Sequence, residues 1–189
     1  MGRPLQIVCV GTLYEVKGHT YLIDACEQLQ RRGVAFDCHL VGDGPLLAEL
    51  RAQVDRAGLN DRVHFLGRRT RDEIATLLRE SDILVAPSIP TTSGRREGIP
   101  VVLMEAMASG LAVVGSNISG IPELVEHEVN GCLCPPKDGA ALADALEQLG
   151  KDPVRLAELG REARAKVLRE YHLSTNARRL ISLFTHVEN

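Results

Sequence analysis

Gln6-Ile7-Val8-Cys9-Val10-Gly11-Thr12-Leu13-Tyr14-Glu15-Val16-Lys17-Gly18-His19 starts as a short apolar, β-branched run and passes through a glycine turn into a segment of helical period. A run of about four to eight such residues, closed by glycine, favours a buried strand over a helix. The same strand-turn-helix unit recurs at Val41-Gly42-Asp43-Gly44-Pro45. Outward from these units, strands are predicted at residues 6–10, 36–41, 62–66, 83–86, 111–115 and 131–134. Helices are predicted at 18–32, 45–57, 71–80, 100–108, briefly after Gly120, and at 139–149. Strands alternating with helices build a parallel sheet covered on both faces, so the expected fold is α/β: a doubly wound, Rossmann-like sheet of about six strands.

After Gly150 the pattern is helical only, at residues 153–168 and 175–187. Ala177, Leu180, Ile181, Phe184 and Val187 recur there at helical spacing, an apolar stripe that needs a surface to cover it. The expected layout is one domain over 1–189, with its core at 5–150 and a helical segment at 152–189.

Composition narrows the function classes. With 44% hydrophobic and 25% charged residues among 189, the chain can bury a core without disulfides or metal. Only 3% of residues are aromatic, none is Trp, and the net charge is −3, so stacking platforms and basic surface for nucleic acid are lacking. Cys9, Cys26, Cys38, Cys132 and Cys134 form an odd set without Cys-x-x-Cys or zinc spacing, which predicts reduced, buried thiols in a cytoplasmic protein. Cys132 and Cys134 would face one side of a strand. No apolar stretch approaches the ~18 residues of a membrane span, and the first residues lack the pattern of a secretory signal.

The strongest chemical signal is Arg96-Glu97-Gly98-Ile99-Pro100-Val101-Val102-Leu103-Met104-Glu105-Ala106. Pro100 suits the first turn of a helix and Gly110 its end, which leaves the Gly98 and Ile99 amides at a helix N-terminus where an anion is favoured. Glu105 stands five residues beyond Pro100, roughly 7.5 Å along the axis, so one ligand with a phosphate and a polyol would suit both ends. The plainer reading is that Glu97 caps the helix and Glu105 is an exposed helix residue. Gly11 and Thr12 stand in the first glycine turn, where backbone can approach a ligand, and Lys17 would add charge beside a phosphate. Gly42 and Gly44 occupy the second turn. Each turn alone equally suits an ordinary α/β protein, and His19 alone reads as a helix-start residue.

Taken together these segments resemble family 4 of the glycosyltransferases, whose members have the two-Rossmann-domain GT-B fold. The resemblance runs from Gln6 to Tyr171 and includes Gly-Thr-Leu then Lys17-Gly18, Val41-Gly42-Asp43-Gly44-Pro45, Phe65-Leu66-Gly67, Ala86-Pro87-Ser88, Glu97 and Glu105, Ala108-Ser109-Gly110 and Ser119-Gly120-Ile121-Pro122-Glu123. It implies a retaining transferase that uses a UDP- or GDP-sugar as substrate and no cofactor, in bacterial polysaccharide or glycoconjugate synthesis. By the same resemblance Glu105 would bind the ribose, Glu97 the transferred sugar, Gly98 and Ile99 the sugar and diphosphate, and Lys17 the leaving phosphate. Gly67 and Arg68 would line the base, and residues 42–45 would wall the pocket.

Two departures matter. No two Asp residues stand two apart, so the Asp-x-Asp metal site of the other large transferase class is missing and no metal is expected. Thr12 stands where the family usually has an Arg that shares the diphosphate with Lys17. In the family an acceptor domain precedes the donor domain, whereas here the first strand starts almost at Met1, so the chain reads as a donor half whose acceptor half is a missing partner. A non-catalytic nucleotide-sugar-binding module and an epimerase or phosphorylase relative remain as alternatives.

Overall fold

The computed structural model describes residues 3–91, 94 and 97–185. Its elements run β1 (Leu5–Val10), α1 (His19–Arg31), β2 (Phe36–Val41), α2 (Leu47–Arg56), β3 (Val63–Gly67), α3 (Arg71–Glu80), β4 (Ile83–Ala86) and α4 (Val101–Ala108). They continue as β5 (Ala112–Ser116), α5 (Ile121–Leu124), β6 (Cys132–Cys134), α6 (Gly139–Lys151), α7 (Pro153–Glu170) and α8 (Leu173–Thr185). The described strands form one six-stranded sheet in the order β3-β2-β1-β4-β5-β6, parallel at every pairing. That is the doubly wound order expected of alternating strands and helices.

Strand alternation sorts the core into two layers. Leu5, Ile7 and Cys9 of β1, Phe36, Cys38 and Leu40 of β2, and Ile83 and Val85 of β4 point to the layer shared with α1, α2 and α6. Val8, Val41, Leu84 and Ala86 point the other way, onto α4, α5 and α7. Both faces are therefore dry over the central strands, which is why those strands read as continuous apolar runs rather than alternating ones. All five cysteines are buried and unbridged, and burial raises the Cys134 thiol to about 12.

Differences from the sequence expectations lie at element ends. β3 begins at Val63 rather than Arg62 and carries Gly67, and α2 begins at Leu47, two residues after Pro45. A 3-10 turn at Glu15–Lys17, too short to show a period, precedes α1. α8 starts at Leu173, two residues before the expected 175, and leaves Leu180, Ile181 and Phe184 exposed; Val187 lies outside the described residues. No helix among the described residues is long and apolar enough to cross a membrane.

Candidate functional site

β1 and β4 are neighbours at the place where the strand order reverses, and their helices leave in opposite directions. α1 buries Leu22, Ile23 and Leu29 in one layer, while α4 buries Leu103, Ala106 and Met107 in the other. The loops above a pair of strands like this diverge and open a crevice at the carboxyl edge of the sheet. Residues 11–18 follow β1 and residues 87–100 follow β4, so this crevice is where they meet.

The first loop is fixed by its own chemistry. Gly11 N–H donates to the Val41 carbonyl at 2.9 Å, and the Lys17 stem lies over Gly11 so closely that a Cβ there would stand 3.3 Å from its Cδ and Cε. Gly18 has φ 66, and a Cβ on it would fall 1.9 Å from the Pro87 carbonyl oxygen. Ile89 N–H donates to the Val16 carbonyl at 2.9 Å. The two crevice loops are thus joined backbone to backbone beneath Lys17.

Across that junction the Lys17 ammonium donates to Oε1 of Glu97, and the Ser88 hydroxyl donates to Oε2 at 2.6 Å. Both charged side chains are about four-fifths covered, at 21% and 17% exposed. Glu97 therefore does not cap α4. Nor is Pro100 the first helical residue: with ψ 125 it is the N-cap, lacks a side-chain cap, and hands the helix to Val101. In the first turn of α4 the Leu103 N–H is taken by the Pro100 carbonyl at 3.0 Å, and the Val101 and Val102 amides come before the first intrahelical acceptor. Gly98 is exposed, and Ile99 packs against Gly120, where a Cβ would meet its Cγ1 at 2.8 Å. Gly110 ends the helix at φ 79, as expected.

A second set lies toward β3. Glu105 on α4 is 40% exposed, and among the described residues its nearest cation is Arg71, with Nη2 to Oε1 at 4.0 Å. Arg68 Nε approaches Asp43 Oδ2 at 3.6 Å, and Gly42 N–H donates to the Gly67 carbonyl at 2.8 Å. Gly42 and Gly44 have no room for side chains, because a Cβ would fall 1.9 Å from the Gly11 oxygen or 2.6 Å from that of Leu13. Their smallness serves the packing of turn on turn, which in turn brings the Gly11-Thr12 backbone to the crevice. Thr12 itself is exposed.

The candidate site residues thus fall at or after the carboxyl ends of the strands: Gly11, Thr12 and Lys17 after β1, Gly42 and Gly44 after β2, Gly67 and Arg68 at the end of β3, and Glu97, Gly98 and Ile99 after β4, with Glu105 on α4. Sequence reasoning gave no role to Ser88 or Arg71, and none to Asp43 beyond the wall formed by residues 42–45. It read His19 as a helix-start residue. That residue does start α1, but it is 2% exposed and neither ring nitrogen has a partner. Burial and then the charge of Lys17 lower its pKa to about 4. Arg95 and Arg96, basic side chains of the same loop, lie outside the described residues. No cluster of three His, Cys, Asp or Glu side chains among the described residues is placed to hold a metal ion.

Comparison with known proteins bears on the family and the fold. Residues 4–152 match the family described as "Glycosyl transferases group 1". The chain is 41% identical over 181 residues to the amylovoran biosynthesis glycosyltransferase AmsK of Erwinia amylovora, covering 96% of this chain and 44% of that protein. The chain thus spans about half the length of the curated relatives it matches. Among solved structures, Anabaena Alr3699/HepE in complex with UDP superposes with a TM-score of 0.87 at 29% identity, over 97% of this chain and 49% of that one. The C-terminal domain of a group 1 glycosyl transferase (LpcC) from Francisella tularensis matches with a TM-score of 0.79 at 26% identity, over 90% of this chain and 89% of that one.

Proposed function

Because the chain belongs to the group 1 glycosyl transferases, we propose that it is the sugar-nucleotide-binding half of a retaining, metal-independent glycosyltransferase of polysaccharide synthesis. The observation that carries this reading is the Lys17–Glu97 pair with Ser88, held across the switch-point crevice beside the start of α4. A cation and a helix N-terminus together favour a diphosphate, and a carboxylate beside them suits sugar hydroxyls. Glu105, about one turn along α4, then takes the ribose, and the turns at Gly42 and at Gly67 and Arg68 border the base. UDP is the first candidate nucleotide, because the Anabaena neighbour holds it; GDP is the second.

In the reaction proposed, the acceptor hydroxyl attacks the anomeric carbon from the face that the diphosphate leaves, and the leaving phosphate accepts its proton. Lys17 and the α4 amides stabilise the charge that grows on that phosphate, so the rate comes from positioning and electrostatics. No cofactor is needed; the sugar nucleotide is a substrate. The acceptor belongs to a second domain, and the exposed Leu180, Ile181 and Phe184 of α8 offer it an apolar seat. Buried, unbridged thiols suit a cytoplasmic setting.

Titration calorimetry with UDP and GDP tests the reading. The chain should bind one of them and, incubated with the matching sugar nucleotides, transfer nothing. Failure to bind either at millimolar concentration removes the donor-site reading, and efficient transfer by this chain alone removes the need for a second domain.

A further inference from the structure

His19 is the buried side chain among the described residues whose polar atoms lack any hydrogen-bond partner, and both of its ring nitrogens are in that state. Native chains seldom leave such groups unpaired, and where they do the group commonly has a task. Packing alone gives no reason for an imidazole here, since an apolar side chain of similar volume would fill the site without stranding two polar atoms. The position is also far from neutral ground. His19 follows Lys17 across Gly18, whose Cα is pinned against the Pro87 carbonyl, so the two side chains leave a backbone that cannot shift. Lys17 acts electrostatically on the ring, and with burial it keeps the imidazole neutral at physiological pH. A neutral ring carries one nitrogen lone pair, which is an acceptor, and the donor-rich group two residues away in the chain, whose charge the ring feels, is the Lys17 ammonium.

We propose that His19 is a positioning residue for donor binding: when the diphosphate draws the Lys17 ammonium off Glu97, the imidazole lone pair accepts one of its protons in a hydrogen bond. Lys17 is then held at the phosphate by a partner that does not neutralise it, and Glu97 is released toward the sugar. The carboxylate that guards Lys17 in the free protein lies on the loop after β4, and the imidazole that seats it in the bound one is the first residue of α1, directly after the loop joined to the other at Val16 and Ile89. This inference rests on the crevice being a diphosphate site.

The test compares the chain with its His19→Met, His19→Gln and His19→Asn variants by thermal melting and UDP titration, and follows the ring nitrogens of the 15N-histidine-labelled wild type by NMR. His19→Met should melt at the same or a higher temperature yet bind UDP about tenfold more weakly, having lost a hydrogen bond to a charged group. Gln places an amide near the Nε2 position and Asn near Nδ1, so one of the two should return the affinity to within about threefold. In the wild type, saturating UDP should shift the unprotonated nitrogen of His19. Unchanged UDP affinity in His19→Met, or unchanged His19 nitrogens at UDP saturation, overturns the proposal. The NMR result decides alone if the Met variant does not fold. A wild type that binds no UDP or GDP instead sinks the diphosphate reading, and the role of His19 with it.

Discussion

Lys17 and Glu97, 80 positions apart in the chain, meet in an ion pair across the crevice between β1 and β4. The free protein thus keeps the Lys17 cation neutralised by its own carboxylate. If Lys17 takes the donor phosphate as proposed, that phosphate competes with Glu97 for it. A pair about one-fifth exposed is worth modestly more than a surface bridge, on the order of 1 kcal/mol. Glu97→Gln should therefore tighten UDP or GDP by about two- to fivefold in calorimetry, while Lys17→Met weakens it. Equal or weaker binding in Glu97→Gln would mean that the pair orients Lys17 rather than occupying it.

Among the described residues the Glu105 carboxylate has no ion pair closer than that with Arg71 at 4.0 Å, so its removal should leave the fold intact. A charged hydrogen bond to a ribose hydroxyl is worth ~1.5 to 3 kcal/mol, and Glu105→Ala should weaken nucleotide binding by about tenfold or more. Circular dichroism checks the fold and titration the affinity. Unchanged affinity would return Glu105 to the status of a surface residue.

The fold was legible because its signals are local and repeated: apolar runs of strand length, each followed by a glycine turn and a helical period. The crevice residues were legible for a different reason, since Lys17, Glu97 and Glu105 sit in segments that resemble a known family. What stayed hidden depends on tertiary arrangement. The contact of Ser88 with Glu97 depends on the path of the loop after β4, and the approach of Arg71 to Glu105 and the burial of His19 depend on β1 lying beside β4 and β3 at the far edge, an order that a single sequence does not state. The glycines at 42 and 44 show the same limit. The resemblance gave them a place in the pocket wall, and the reason for their residue type lies in packing: the space they leave is filled by the backbone of Gly11 and Leu13.

That packing separates two glycines which both have positive φ. Gly67 has φ 68 and nothing within 4 Å of the point where an alanine methyl would stand, so Gly67→Ala should cost only the left-handed backbone term, about 1 to 2 kcal/mol. Gly42 has φ 140 and the Gly11 oxygen 1.9 Å from the corresponding point, so Gly42→Ala should cost about 3 kcal/mol or more and lower nucleotide affinity by moving the first turn. Urea denaturation of both variants decides. Equal losses would mean that the turns at 11 and 42 part easily.

His19 gives stability a dependence on pH. Its pKa falls from 6.5 in the unfolded chain to about 4 in the folded one, through burial first and Lys17 second. The unfolded chain therefore binds the proton more readily. Stability should be full above about pH 6.5 and decline as the pH drops toward 4, with His19 contributing a loss on the order of 3 kcal/mol over that window. His39, also lowered by burial, adds a loss of the same sign. Denaturation of the wild type and His19→Met at several pH values between 7.5 and 4.5 isolates the His19 share. Parallel profiles for the two proteins would show that the ring is not held neutral by the fold.

Thr12 is the crevice position where residue type and proposed task fit worst. Its side chain is exposed, at the end of a turn fixed by the Gly11 bond to Val41 and the Leu13 bond to Asp43, so a longer side chain has room there. A hydroxyl brings one neutral donor to a phosphate, whereas Arg brings a permanent charge and a planar fork that fits two phosphate oxygens. Thr12→Arg should therefore tighten nucleoside diphosphate binding by about 1 to 2 kcal/mol, less than a full charge-assisted bond because a mobile side chain must be ordered. Glu97 bears on the size of the gain. With Lys17 already neutralised by that carboxylate, a new cation meets little repulsion in the free protein and adds its whole charge to the bound state. Screening should shrink the effect as salt is raised. Calorimetry with UDP at two salt concentrations checks both statements, and binding that is unchanged or weaker would show that the crevice already holds enough positive charge.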